Sequence, residues 1–222
     1  MKIKSRNILH YIDEFEKLGN QLKIIFLDID GVMNNEEYYS GTYMEDPRDK
    51  WGQKYCPQTI DNLKRIINAC GGPDKVKIVM SSSHRHKSLA YYDEEGKMHE
   101  LGGLSCIRAM WEDRKLPGDI IDITPYYWVQ KGPNKKMDSI VQGPGGSIPR
   151  GYEIKQWLNG LNFYHEYYSS MERNSLIENY VIIDDDPDML YEQRNNFVQT
   201  GNMQGLNKEC ADKAIKILNT KL

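Results

Sequence analysis

Three apolar runs in this chain each stop abruptly in a polar cluster: LKIIFLDIDG from Leu22, VKIVMSSSHRH from Val76 and YVIIDDDPD from Tyr180. Unbroken hydrophobicity, in place of alternation, marks a strand covered on both faces. Buried strands alternating with helical segments predict an α/β fold: a doubly wound, mostly parallel sheet with helices on both faces. In such sheets ligands bind just beyond the carboxyl ends of the strands. All three polar clusters fall there, so the pattern that sets the fold also predicts where a site lies.

The remaining segments fit between these strands. Ile8, Ile12 and Phe15 recur at helical spacing until Gly19-Asn20, which predicts a short leading helix. Ile60, Leu63, Ile67 and Cys70 trace a helix face, with Pro57 near its start and Gly71-Gly72-Pro73 at its end. A short helix is expected around Ser105 to Trp111, and a strand at Ile120 to Thr124 inside an insert. Helical spacing resumes at Ile154, Trp157 or Leu158, and Leu161. NFVQT is a candidate short last strand, and Ala211, Ala214, Ile215 and Leu218 mark a closing helix. The 222 residues fit one domain with inserts: 34–56 as a small insert or loop, and 87–149 as a partly irregular insert. Within the latter, KGPNKKMDSIVQGPGGSIP is rich in breakers and reads as loop.

A net charge of −3 gives no bulk signal for nucleic acid, although a local basic patch stays compatible with it. Cys56, Cys70, Cys106 and Cys210 are widely spaced and read as free thiols of a reducing compartment. MKIKSRNILHYIDEFEK carries charges throughout, unlike a secretory segment, and no apolar run is long enough to span a bilayer. A cytoplasmic protein without a membrane partner is expected.

Asp28 and Asp30 follow a buried strand directly. On extended backbone, alternate side chains share a side, so both carboxylates face one small volume. Like charges that close require a shared proton or a cation between them. Asp184, Asp185, Asp186 and Asp188 bring further carboxylates from another strand end. An all-oxygen donor set suits a hard ion, and Mg2+ is the natural candidate. DDDPD does not open a calcium loop of the helix-loop-helix type: Met189 stands where that loop needs Gly, and Asn195 where it needs Glu. His84 and His86 lack a third partner for zinc in the sequence.

FLDIDGV resembles the first motif of the haloacid dehalogenase-like (HAD) hydrolases, whose core is a doubly wound sheet and most of whose members are magnesium-dependent phosphatases. The resemblance matches Asp28 to the nucleophile and Asp30 to the acid/base. IVMSSS is similar to the second motif, whose Ser or Thr contacts phosphate. Ser81 is the best match, with Ser82 or Ser83 able to take its role. Arg150 in RGYEIKQWL fits the basic residue of the third motif, and Gly151 leaves room for close approach. YVIIDDDPD is similar to the acidic fourth motif, which implies Asp185 as metal ligand with Asp184 beside it. More narrowly, FLDIDGV, SSSHR, RGYEIKQWL, VIIDD and VQTGNMQGL resemble the HAD branch associated with RNA-repair proteins, whose members often carry Trp where His84 stands.

The resemblance implies covalent phosphoryl transfer. Asp28 attacks phosphorus, and Asp30 protonates the leaving oxygen and later takes a proton from water. The ion, held by Asp28, the Ile29 carbonyl, Asp30, Asp184 and Asp185, screens the nucleophile. Ser81 or Ser82 and Arg150 cradle the phosphoryl oxygens. Arg85 is either a second phosphate arm or a surface ion pair. Asp186 and Asp188 are candidate caps for a helix after Pro187, and Asp188 alternatively orients a metal-bound water. The expected partners are a phosphorylated small molecule or nucleotide, with nucleic-acid ends as a further class. Lys131, Lys135 and Lys136 would steer a phosphate backbone, and Tyr126, Tyr127 and Trp128 would stack on bases or simply pack. Two rival functions keep the same residues: a catalytically idle phosphate or nucleic-acid binding module, and a phosphomutase.

Overall fold

The computed structural model describes residues 22–41, 48–86, 88–92, 95–131, 138–142, 148–159 and 177–220. The expected leading helix at Ile8, Ile12 and Phe15 lies outside these residues, as do Leu161, Lys135, Lys136 and the side chains of Tyr127, Trp128 and Lys131.

The central sheet has five strands: β1 (Leu22–Leu27), β4 (Val76–Met80), β7 (Asp119–Ile123), β10 (Ile177–Asp184) and β11 (Phe197–Gln199). Their order is β11-β10-β1-β4-β7, and every adjacent pair is parallel. β1 sits at the centre. The chain leaves it toward β4 on one side and later returns to β10 on the other, so the strand order reverses beside β1. That reversal opens a crevice at the carboxyl ends.

The two-residue period of the strands sorts the core. Ile25, Leu27, Ile78, Met80, Val181 and Ile183 face one side, against α2 (Pro57–Ala69), α3 (Gly103–Asp113) and α5 (Lys208–Asn219). Ile24, Phe26, Val79, Ile121 and Ile182 face the other, against α4 (Arg150–Leu158). The Phe26 and Trp157 rings meet edge to face at 5.3 Å. Trp157 also donates its indole N–H to buried Asp122 of β7 at 2.8 Å, which pins the last turn of α4 to the sheet.

Two sequence expectations are corrected. The strand at Ile120 to Thr124 belongs to the central sheet, as β7, and not to an insert. The stretch 87–149 therefore supplies α3 and β7, the second half of a β-α-β crossover that starts at β4, with one hairpin inside the crossover before α3 and another after β7. The first hairpin pairs β5 (Ser88–Tyr92) with β6 (Met98–Gly102); the second pairs β8 (Tyr127–Lys131) with β9 (Asp138–Gln142). The second hairpin falls where breakers suggested loop. Within β9, Ile140 and Val141 are good strand formers, a signal that the neighbouring glycines and prolines obscure in the sequence. The small insert at 34–56 holds α1 (Glu36–Gly41) and a minimal antiparallel pair, β2 (Arg48–Asp49) with β3 (Gly52–Gln53).

Candidate active site and metal centre

β1 and β10 are hydrogen-bonded neighbours in register, with Leu27 opposite Ile183, so their acidic ends meet. Asp28 donates its backbone N–H to the Ile183 carbonyl at 3.0 Å. Carboxylate oxygens of Asp28, Asp184 and Asp185 all lie within 4.8 Å of one another. The DID and DDD clusters, far apart in sequence, thus form one group.

Burial makes this group costly without a counter-charge. Asp184 is 2 % exposed. Its Oδ1 accepts the Asp186 N–H at 3.0 Å, but its buried Oδ2 has no hydrogen-bond partner among the described residues. Desolvation, and then the neighbouring Asp28 charge, push the Asp184 carboxyl up to about 8. Desolvation raises Asp28 to about 6, against the pull of the Arg150 guanidinium and a hydrogen bond with Ser82. Burial raises Asp185 as well. Three crowded carboxylates and a buried oxygen without a donor fit a divalent cation, and a donor set made only of oxygen fits a hard one.

The DIDG turn builds the approach. Gly31 has φ +69°, in the left-handed region that glycine favours. A Cβ there would collide with the Asp185 carboxylate. The glycine therefore lets the turn close and lets Asp185 reach Asp28. The Ile29 carbonyl accepts the N–H groups of Val32, Met33 and Asn34 at 3.2, 2.8 and 3.0 Å. Those bonds occupy its lone pairs, so it does not match the ligand role expected of it. Asp30 lies outside the triad. Its side chain is 61 % exposed and pairs with Asn34 Nδ2 at 3.2 Å and His84 Nε2 at 3.0 Å.

At the end of β4 the serines divide. The Ser82 hydroxyl is the one that hydrogen-bonds Asp28. Ser81 is held by its N–H to the Leu27 carbonyl at 2.8 Å, and its hydroxyl lies 3.5 Å from that of Thr124. Arg150, at the first turn of α4, has its Nε 3.8 Å from Asp184 Oδ2 and its Nη1 3.4 Å from Glu153. Arg85, expected as a second phosphate arm or a surface ion pair, is a cation of the core and makes no surface pair. It is 1 % exposed, donates to Glu153 at 2.6 Å and to the Ser82 carbonyl at 2.9 Å, and stacks on Tyr126 at 4.4 Å. Desolvation lowers its pKa to about 10 against the pull of Glu153, which leaves it protonated at neutral pH.

Gly151 serves packing. A Cβ there would strike Gln193, Leu190 and Met189 of the loop after the acidic cluster. Asp188 does not cap a helix after Pro187. Its Oδ2 accepts the Arg150 N–H at 2.7 Å and so caps α4 across space. His86 and Tyr126 rings meet at 3.8 Å, so that tyrosine is already engaged by Arg85 and His86. Ser83, Arg85, Tyr126, Pro149, Arg150, Glu153 and Asp188 help to line a cavity of about 380 Å³ beside the triad.

Residues 24–211 match the family model described as the HAD domain in Swiss Army Knife RNA repair proteins. The chain belongs to this family. No curated protein and no solved structure matches it. In this HAD domain the strand-end clusters DIDG, SSSHR and DDDPD converge as the sequence implied. Sequence reasoning missed two contributors. Glu153 underlies both arginines, and its only signal is its position one helical turn after Arg150. His84 contacts Asp30, and its only signal is its place two residues after Ser82, just beyond the end of β4.

Proposed function

We propose that this HAD domain is a magnesium-dependent phosphomonoester hydrolase that works through an aspartyl-phosphate on Asp28. Its substrates are nucleotides or the phosphorylated ends of nucleic acid. The observation that carries the reading is the triad of Asp28, Asp184 and Asp185 with its undonated buried oxygen, beside the Arg150 guanidinium.

Asp28 supplies the nucleophile. One of its oxygens attacks phosphorus in line, the P–O bond to the leaving alcohol breaks, and Asp30 gives that alcohol its proton. Water then attacks the aspartyl-phosphate, Asp30 takes its proton, and inorganic phosphate leaves with Asp28 restored as carboxylate. Ser82 orients Asp28 through their hydrogen bond. Arg150 supplies fixed positive charge where the phosphoryl oxygens gather. Magnesium held by Asp28, Asp184 and Asp185 would supply the charge that lets an anionic nucleophile meet an anionic substrate. The cavity beside Arg150 has room for the leaving group, and a volume of about 380 Å³ suits a nucleoside better than a folded polymer.

A cytoplasmic setting accords with four cysteines carried as free thiols. No helix of the described residues is long and apolar enough to cross a membrane.

The test is a phosphatase screen with p-nitrophenyl phosphate, mononucleotides and oligonucleotides phosphorylated at either end, with magnesium and with chelator. Turnover is expected only with magnesium, and Asp28→Asn abolishes it. Activity retained by Asp28→Asn removes the covalent mechanism. Binding of phosphorylated ends without turnover favours the idle module.

A further inference from the structure

The carboxylate of Asp30 is held at both oxygens. Asn34 Nδ2 donates to Oδ1 at 3.2 Å, and Asn34 is itself fixed by the Tyr39 hydroxyl at 2.8 Å. On the other side, His84 Nε2 lies 3.0 Å from Oδ2. Such bonds matter here because Asp30 faces solvent, where an untethered side chain samples several rotamers.

His84 is well placed to act as a tether. Its side chain is 16 % exposed, in the short 3₁₀ turn Ser83–His86. Its backbone N–H donates to the Ser82 hydroxyl at 3.2 Å, and that hydroxyl also hydrogen-bonds Asp28. The end of β4 therefore reaches both carboxylates of DIDG: Asp28 through Ser82, and Asp30 through His84. One turn sets the spacing of the two groups.

We infer that His84 is a positioning residue for Asp30, holding its carboxylate at the leaving-group oxygen of an alkyl phosphate. The inference rests on the phosphatase reading above. The 3.0 Å contact between ring nitrogen and carboxyl oxygen fixes the same geometry whichever of the two donates. The role is therefore one of orientation. Orientation matters only to a leaving group that needs a proton. An alkoxide must be protonated as the P–O bond breaks, whereas p-nitrophenolate leaves as a stable anion.

The test compares kcat/KM for a nucleoside 5′-monophosphate and for p-nitrophenyl phosphate on the same preparations. This ratio constant ends at phosphoryl transfer to Asp28, so the later water step does not enter. The fraction of misfolded protein cancels because both substrates see the same sample. His84→Ala is expected to lower the alkyl-to-aryl ratio by roughly 10–100-fold, the usual cost of losing such a positioning partner. His84→Gln keeps a side-chain N–H at similar reach and recovers most of the ratio. An equal fall on both substrates, or an unchanged ratio, overturns the positioning role while leaving the phosphatase reading intact. Absence of magnesium-dependent turnover by the wild-type chain, or full activity of Asp28→Asn, overturns both.

Discussion

Replacing Asp184 with Asn should stabilise the magnesium-free protein while destroying its response to the metal. The Asp184 carboxyl is raised to about 8 in the fold, from an ordinary 3.8. A raised carboxyl favours folding below its unfolded pKa and loses that advantage as pH climbs toward the folded value. Between about pH 4 and 8, each unit therefore removes up to ~1.4 kcal/mol of stability. Relaxation and water entry at the site reduce the total, and about 2–3 kcal/mol is the share expected near pH 7.5. Asn does not titrate, and its Oδ1 can still accept the Asp186 N–H that Asp184 accepts at 3.0 Å. For a chain of this length that gain raises Tm by roughly 4–12 °C. The assay is thermal unfolding with chelator at pH 5 and 7.5, then with millimolar magnesium. The Asn variant should gain at pH 7.5, gain little at pH 5, and show no magnesium-dependent shift. A variant less stable than wild type at pH 7.5, or an advantage that does not shrink toward pH 5, would refute a crowded, cation-seeking triad.

Three other substitutions probe different parts of the site. Gly31→Ala meets both a left-handed backbone and the Asp185 carboxylate, so calorimetry should show about 1–3 kcal/mol lost, together with weaker magnesium binding in titration. Glu153→Gln leaves buried Arg85 without its counter-charge, and denaturant unfolding should report a loss of about 3–5 kcal/mol. Arg150→Met removes the guanidinium that acts on Asp28 and Asp184; steady-state kinetics should show kcat/KM for phosphate esters reduced by about 10-fold or more.

The runs that end at the site were legible because β1, β4 and the second half of β10 are buried on both faces and so write unbroken apolar runs. β4 falls at Val76–Met80, as its sequence implies, and β1 and β10 end at the aspartates that follow their runs. The edge strand β7 was harder to place. Asp119 and Asp122 interrupt its apolar character, and only the structure shows Asp122 buried against the Trp157 indole at 2.8 Å. β9 was hidden by glycine and proline on both sides. The acidic triad could be anticipated because strand ends in a parallel sheet share one edge, which is a property of the topology. The Ile29 carbonyl could not be judged from sequence, because its three amide donors exist only once the DIDG turn has closed.

The arginines show why residue type alone does not assign a role. Arg85 and Arg150 look equivalent in sequence, each a cation close to a strand end or helix start. In the fold, both reach Glu153, but only Arg85 is sealed, at 2.6 Å from that carboxylate. A guanidinium so buried has exchanged its freedom for structure: it ties the turn after β4 to α4 through Glu153 and the Ser82 carbonyl. Arg150 makes a longer contact to Glu153, at 3.4 Å, and keeps Nε directed near Asp184. Glu153 thus absorbs much of the charge of one arginine and little of the other. That division leaves Arg150 as the cation to which the proposed mechanism gives the phosphoryl oxygens, and makes Arg85 the post that ties Ser82 to α4.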